Sequence, residues 1–300
     1  MIEGPVRTHD RPHRPTPFFR MPPSQQDATM ALDFCPGYTG TTFKPLARDY
    51  PGSDVYPAAD FRTEWGPIFH RGRLDGTARV LVIGQDPAQS EAVVRRILVG
   101  NAGKRVQGFL HKLGIRKRYV ILNTFLYSVY GQQGGNAHIG DAAIAAYRNR
   151  WIAGVLDRSR IEIVVAFGGL ADQAWSQWRA SPSAAGRPAL PYAHLPHPTS
   201  PTAGGASESQ AATATAVMLA KYNTALQQLR PALTKTDAAP APLYGNAFTA
   251  ADLPDIPMAD LPAGTPPWMA SEEAWAARVG NTAPEKRRTI QIRVPDTVPL

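Results

Sequence analysis

The sequence has a single cysteine, Cys35, among its 300 residues. One thiol excludes an intrachain disulfide, a zinc ribbon and a cysteine-ligated iron–sulfur cluster. A reducing, cytoplasmic location is the expectation, nucleoid-associated if the source is bacterial. Long apolar runs are missing too. No stretch approaches the roughly 20 residues needed to cross a bilayer. The Arg-, His- and Pro-rich start has no apolar segment behind it, so neither export nor membrane contact is expected.

The third shortage is local. From Ala92 to Gly140 there is no aspartate or glutamate, whereas the same span holds Arg95, Arg96, Lys104, Arg105, Lys112, Arg116, Lys117 and Arg118. Solvated surfaces usually mix both signs, so this run reads as a phosphate-facing patch. A formal net charge of +8 is in keeping with a polyanionic partner. A basic helix face without a partner is the plainer reading of the same run.

What is present is organised around residues 79–91, Arg-Val-Leu-Val-Ile-Gly-Gln-Asp-Pro-Ala-Gln-Ser-Glu. The unbroken apolar run Val80–Ile83 suits a strand buried on both faces of a parallel sheet. Gly84 permits a turn or a close approach, and Pro87 stiffens the exit. Ligands of open α/β sheets bind beyond the carboxyl ends of the strands, which is where Gln85 and Asp86 fall. A turn in which Asp86 merely bonds its own backbone is the alternative.

The pattern then repeats. A helix is expected over Ser90–Val99, broken by Gly100-Asn101-Ala102-Gly103. Another runs from Lys104 to Leu113 with Val106, Phe109, Leu110 and Leu113 at helical spacing. Tyr119–Phe125 reads as a second buried strand, carrying Asn123, and Asp141 as the cap of a helix over Ala142–Leu156. A third strand, Ile161–Phe167, precedes a Trp-rich helix over Leu170–Trp178. A short fourth strand, Pro191–Leu195, precedes a long helix over Ser209–Leu229. The expected fold is therefore α/β, a three-layer sandwich with a central four-stranded parallel sheet and helices on both faces. Residues 61–230 would form this domain. Residues 1–60 read as a largely irregular arm containing Phe18-Phe19. The Pro- and Ala-rich residues 231–300 would pack on the domain through Trp268 and Trp275, or remain partly disordered.

Three strand ends thus carry polar side chains: Gln85 with Asp86, then Asn123, then His197. Parallel strands place these ends along one sheet edge. A carboxylate, an amide that both donates and accepts, and an imidazole make a catalytic inventory, although each alone has a structural explanation.

The set Gly84-Gln85-Asp86-Pro87, Leu122-Asn123-Thr124 and His197-Pro198-Thr199-Ser200-Pro201 resembles the motifs of the uracil-DNA glycosylase superfamily, over about Phe61–Leu229. Val99-Gly100-Asn101-Ala102-Gly103 is similar to a segment of that superfamily's iron–sulfur branch, here without the cluster cysteines. The Gln-Asp-Pro and Asn segments look more like the principal uracil-excising branch. The resemblance implies a monofunctional N-glycosyl hydrolase that flips deoxyuridine out of DNA, releases uracil and leaves an abasic site. On the matched positions, Asp86 would position water and stabilise the sugar cation, and His197 would stabilise the uracil anion. Asn123 would read the base edge beside the Gly84–Gln85 backbone. Ser200 and Thr199 would bind backbone phosphate, and Lys104 and Arg105 would add charge to that contact. No metal or cofactor is implied. The expected partner is uracil-containing DNA, met as a monomer.

Four positions depart from the pattern. Ala88 stands where the principal branch has a thymine-blocking Tyr, which leaves Glu91 as the candidate for that role. Leu98 replaces a base-stacking Phe. Thr199 is an extra residue before Ser200, and Thr202–Glu208 offers no Leu wedge. Two further readings therefore stand beside uracil excision: a glycosylase of broader base choice, and a non-catalytic DNA- or damage-binding module on the same fold. A small-molecule nucleotide hydrolase is disfavoured by the basic span.

Overall fold

The computed structural model describes residue 38 and residues 42–131 and 134–298. Cys35 and Phe18-Phe19 lie outside the described residues. Strands β1 (Arg71–Gly72), β2 (Val80–Gly84), β3 (Tyr119–Asn123), β4 (Ile163–Phe167) and β5 (Tyr192–Leu195) form one sheet in the order β1-β3-β2-β4-β5. The pairs β2–β3, β2–β4 and β4–β5 are parallel. The fold is thus α/β around a parallel-dominated sheet, with one strand more than expected. That strand, β1, is an antiparallel edge of two residues on β3. A strand this short carries no alternation, so sequence reading takes it for loop.

Side chains alternate across the sheet as the period of two requires. Leu81 and Ile83 face one core layer, built with Trp151, Val155, Leu170 and Trp175. Val80 and Val82 face the other, with Phe109, Leu110, Tyr222 and Leu226. Helices α1 (Phe43–Arg48), α5 (Ala142–Arg158) and α6 (Gly169–Arg179) cover the first face. Helices α3 (Asn101–Lys112) and α7 (Glu208–Leu229) cover the second. Two shorter helices, α2 (Gln89–Val94) and α4 (Gly134–His138), lie in the connections after β2 and β3.

Local signals explain most boundaries. Ser207 caps α7 by accepting from Gln210 N, and the Gln210 side chain returns to Ser207 N, a capping box. Two differ from expectation. Helix α2 stops at Val94 because Arg95 turns left-handed (φ 63°). Gly100 to Gly103 starts α3 instead of breaking a helix, with Gly100 as its N-cap. A Cβ on Gly103 would overlap the Leu98 carbonyl, so glycine is what lets α3 begin against the left-handed Leu98. Asp141 does precede α5, but its carboxylate takes His138 Nδ1 at 2.7 Å rather than the helix amides.

The segment beyond α7 packs against the basic span. Lys112 Nζ lies 2.5 Å from Asp252 Oδ1, and Arg118 Nε 2.9 Å from Asp237. Asp237 also accepts from the backbone N–H groups of Arg116, Lys117 and Arg118. Arg71, fully buried, pairs at 3.5 Å with buried Asp260, which also accepts from the Tyr119 hydroxyl. Trp275, Ile256 and Leu261 form a third apolar cluster with Val94 and Val99. The segment ends in an antiparallel hairpin, β6 (Ala276–Arg278) with β7 (Ile290–Ile292), whose first strand lies beside α2. Three cations of the run without acids, Lys104, Lys112 and Arg118, thus pair with acids of the same chain, and Arg95, Arg96 and Arg105 donate to backbone carbonyls. Reading one span at a time misses this, because the compensating carboxylates arrive more than a hundred residues later.

Candidate active site

The strand ends are joined below the site. Thr124 N and its hydroxyl both donate to Gly84 O at 2.9 Å, and Phe125 N donates to Gln85 O at 3.0 Å. These bonds continue the β2–β3 ladder past its last paired residues and set the turn that presents Gln85 and Asp86.

Asp86 is held on both oxygens. Oδ2 accepts from Val129 N at 2.9 Å and Oδ1 from Gln85 Nε2 at 3.2 Å. Burial pushes its pKa up to about 6, with these two donors opposing the rise. Val129 is itself positioned by Arg62, whose Nη1 donates to Val129 O at 2.5 Å and to Ser128 Oγ at 3.1 Å. The Arg62 guanidinium lies over the Tyr130 and Trp65 rings, 4.3 and 4.9 Å from their centres. Arg62 carries no spacing signal, and sequence reading passes it by.

Asn123, at the end of β3, sits so close to Gly84 that a Cβ there would overlap its Oδ1. Only glycine leaves room for this amide. Leu98 Cδ1 approaches the same position at 3.7 Å. Both Oδ1 and Nδ2 of Asn123 are sealed from solvent and lack a hydrogen-bond partner. An unpaired buried amide is costly, and a ligand that both donates and accepts would satisfy it.

His197 follows β5. It lies against Gly168 at the end of β4, where the Gln85 side chain also reaches. Its Nδ1 is 3.0 Å from Thr199 Oγ1 and 3.4 Å from Thr199 N. A backbone N–H can only donate, so Nδ1 is the acceptor and the proton rests on Nε2. Burial, and then the charge of Arg105, lower the pKa of His197 below that of a free imidazole. The ring is neutral at physiological pH, with a fixed donor.

The structure brings Gly84, Gln85, Asp86, Leu98, Asn123 and His197 to one end of the sheet, while other expected site residues have different engagements. Glu91 is buried, with Oε2 accepting from Ala88 N and Oε1 from Val99 N, both at 3.0 Å. It ties the loop before α2 to the loop before α3. Ala88 is exposed at the rim. Lys104 Nζ donates to Ser271 O at 2.7 Å and lies 3.6 Å from Asp255. Arg105 Nη1 donates to Pro198 O at 2.5 Å, bracing the His197 loop, and its guanidinium lies over Phe248. Thr199 serves His197, leaving Ser200 as the exposed hydroxyl of that loop. Lys104 and Glu91 thus have partners within the chain; the Ser271 carbonyl and the Val99 amide could not be inferred from local sequence.

Asp86 opens onto a cavity of about 220 Å³ lined by Gln85, Pro87, Ala88, Gln89, Ser128, Val129, Gly131 and Arg278. No group of acidic, histidine or cysteine side chains suited to a metal ion occurs among the described residues, nor is any helix there long and apolar enough to cross a membrane.

Residues 71–218 match the family model of the uracil DNA glycosylase superfamily. This stretch is a domain of that superfamily. Comparison with curated proteins returns no match. All the strand ends described above fall inside the matched stretch, whereas Arg62, Arg278 and the acids that pair with the basic span fall outside it. A uracil DNA glycosylase superfamily domain implies DNA as substrate and base excision as the reaction class, within DNA repair.

Proposed function

We propose that the protein hydrolyses the N-glycosidic bond of deoxyuridine in DNA, releasing uracil and leaving an abasic site. The observation that carries this reading is the sealed, unpartnered amide of Asn123 against Gly84, the residue that leads into Gln85 and Asp86. Uracil presents an N–H donor at N3 next to an acceptor at O4, the complement of that amide. A flipped nucleotide would bring this edge to Asn123 and its O2 toward Nε2–H of His197. As the bond breaks, charge grows on the base, and a neutral donor fixed in place stabilises it without first losing a proton. Asp86, as carboxylate, would hold the attacking water and stabilise the cationic sugar. The reading includes action as a monomer in the cytoplasm, without metal or cofactor; full activity in excess EDTA is expected.

One observation favours a broader base choice. With Ala88 at the rim and Glu91 engaged by backbone, no bulky or charged group is assigned to the position that would meet a thymine methyl. A panel of oligonucleotides carrying U:G, U:A, T:G, hypoxanthine:C and single-stranded U, each treated with alkali, separates the readings. Breaks at uracil alone, lost in Asp86→Asn and Asn123→Ala, are expected. Breaks at T:G or hypoxanthine as well would establish the broader enzyme. Tight binding without breaks on any substrate would overturn catalysis and leave a binding module.

A further inference from the structure

The basic residues that sequence reading assigns to DNA are largely engaged within the chain, which leaves open what holds the substrate's backbone beside Asp86. The cavity wall supplies an answer from outside the matched stretch. Arg278, on β6 of the terminal hairpin, lines the same cavity as Gln85, Asp86 and Ala88. We propose that Arg278 is a DNA-phosphate contact of this site, so that the hairpin completes the substrate cleft.

Three observations support it. First, the hairpin is fixed at the site: Trp275 and Ala276 are buried in the cluster with Val94 and Val99, and Arg293 N donates to Trp275 O at 2.8 Å. Residues two apart share a face of a strand. Arg278 therefore projects on the same side as buried Ala276, toward the domain, while remaining exposed. Second, Arg278 has no acidic partner and donates no hydrogen bond among the described residues, unlike Arg71, Lys104, Lys112 and Arg118. A guanidinium left free on the rim of a cleft suits the bidentate capture of phosphate oxygens. Third, the other arginine near this rim, Arg62, is buried against Tyr130 and Trp65 and holds Val129 O. It is a positioning group, so the accessible charge at the cavity is that of Arg278.

The inference rests on DNA being the substrate, and its test is binding, which can be read independently of base excision. Fluorescence anisotropy on a duplex containing a stable abasic-site analogue would be recorded from 50 to 200 mM KCl for the full chain, Arg278→Ala, Arg278→Glu and Arg278→Lys. A single phosphate contact contributes about 0.9 to the slope of log K against log salt. Arg278→Ala should lower the slope by about that amount and weaken binding about tenfold at low salt. Arg278→Glu should weaken it further, and Arg278→Lys should keep the slope while restoring only part of the affinity. Because the side chain is exposed, all three should melt with the wild type.

Unchanged affinity and slope in both Arg278→Ala and Arg278→Glu would overturn the proposal, as would failure of the wild type to bind DNA at any salt. Salt-dependent binding that requires Arg278, in a protein that releases no uracil, would uphold the contact and refute the uracil reading. Uracil release untouched by either variant, with unaltered binding, would do the reverse.

Discussion

Thr199 Oγ1 lies 3.0 Å from Nδ1 of His197, and Thr199 N approaches the same nitrogen. The extra residue in the His-Pro-Thr-Ser-Pro turn thus sets the tautomer of the imidazole. We predict that Thr199→Val lowers kcat on uracil-containing oligonucleotides about tenfold, a typical cost for losing an orienting partner, while Thr199→Ser stays near wild type. Equal activity in both variants would show that the backbone N–H suffices.

Asp86 should set the acid limb of the pH profile. Its pKa is raised to about 6 whereas that of His197 is lowered, so between pH 5 and 7 the group that gains competence is the carboxylate. The expected kcat/KM rises through about pH 6 and is flat above it. A limb centred near pH 4 would show that the bound state restores an ordinary aspartate.

The same shift has a cost in stability. A folded-state pKa above the unfolded value means that the folded protein binds more protons between roughly pH 4 and pH 6, so stability falls as pH rises through that window and stays lower above it. Asp86→Asn should therefore abolish turnover yet raise the melting temperature by a few degrees at pH 8, with little gain at pH 4. Thermal melts at the two pH values check the sign, and a lower Tm at pH 8 would refute it.

His138 gives a second pH-dependent term. Its Nε2 lies 3.1 Å from Asp60 and its Nδ1 2.7 Å from Asp141. Burial opposes its charge, but the two carboxylates outweigh that and raise its pKa. The stabilising charge is fully present below the unfolded value near 6.5 and is lost as pH rises through the folded value. His138→Gln should narrow the difference in melting temperature between pH 5.5 and pH 8.5. An unchanged difference would mean that the bridge contributes nothing in solution.

The buried pair between Lys112 and Asp252 should matter more than any surface pair. Burial alone would raise the pKa of Asp252, yet Lys112 and Thr249 hold it below the usual carboxylate range. Lys112 Nζ also donates to Pro242 O and lies over the Tyr244 ring. Removing one partner strands the other charge in the interior, which costs about 3–5 kcal/mol. Asp252→Ala should lower urea-unfolding stability by that amount, and a loss below about 1 kcal/mol would show the pair to be solvated.

Most of the sheet was legible in the sequence because buried parallel strands announce themselves as apolar runs ending in a polar residue, as Val80–Ile83 and Tyr119–Leu122 do. The convergence of Asp86, Asn123 and His197 followed from topology alone. Strand β1 escaped because two residues carry no period. The engagements of Glu91 and Lys104 were not legible because a side chain's partner is a tertiary fact: the Val99 amide and the Ser271 carbonyl cannot be counted from local spacing. Arg62 and Arg278 were passed over for a related reason, since each reaches the Asp86 loop from a stretch that offers no motif.

The pairing of the basic span with later carboxylates has a further consequence. During synthesis, Lys104, Lys112 and Arg118 emerge well before Asp237, Asp252 and Asp255. A nascent chain that has completed its sheet therefore displays uncovered cationic surface until its last quarter is made. In that interval it is electrostatically a different molecule, prone to indiscriminate adhesion to polyanions, and arrival of the terminal segment quenches that adhesiveness. Production of a chain cut after α7 should accordingly give material that co-purifies with nucleic acid.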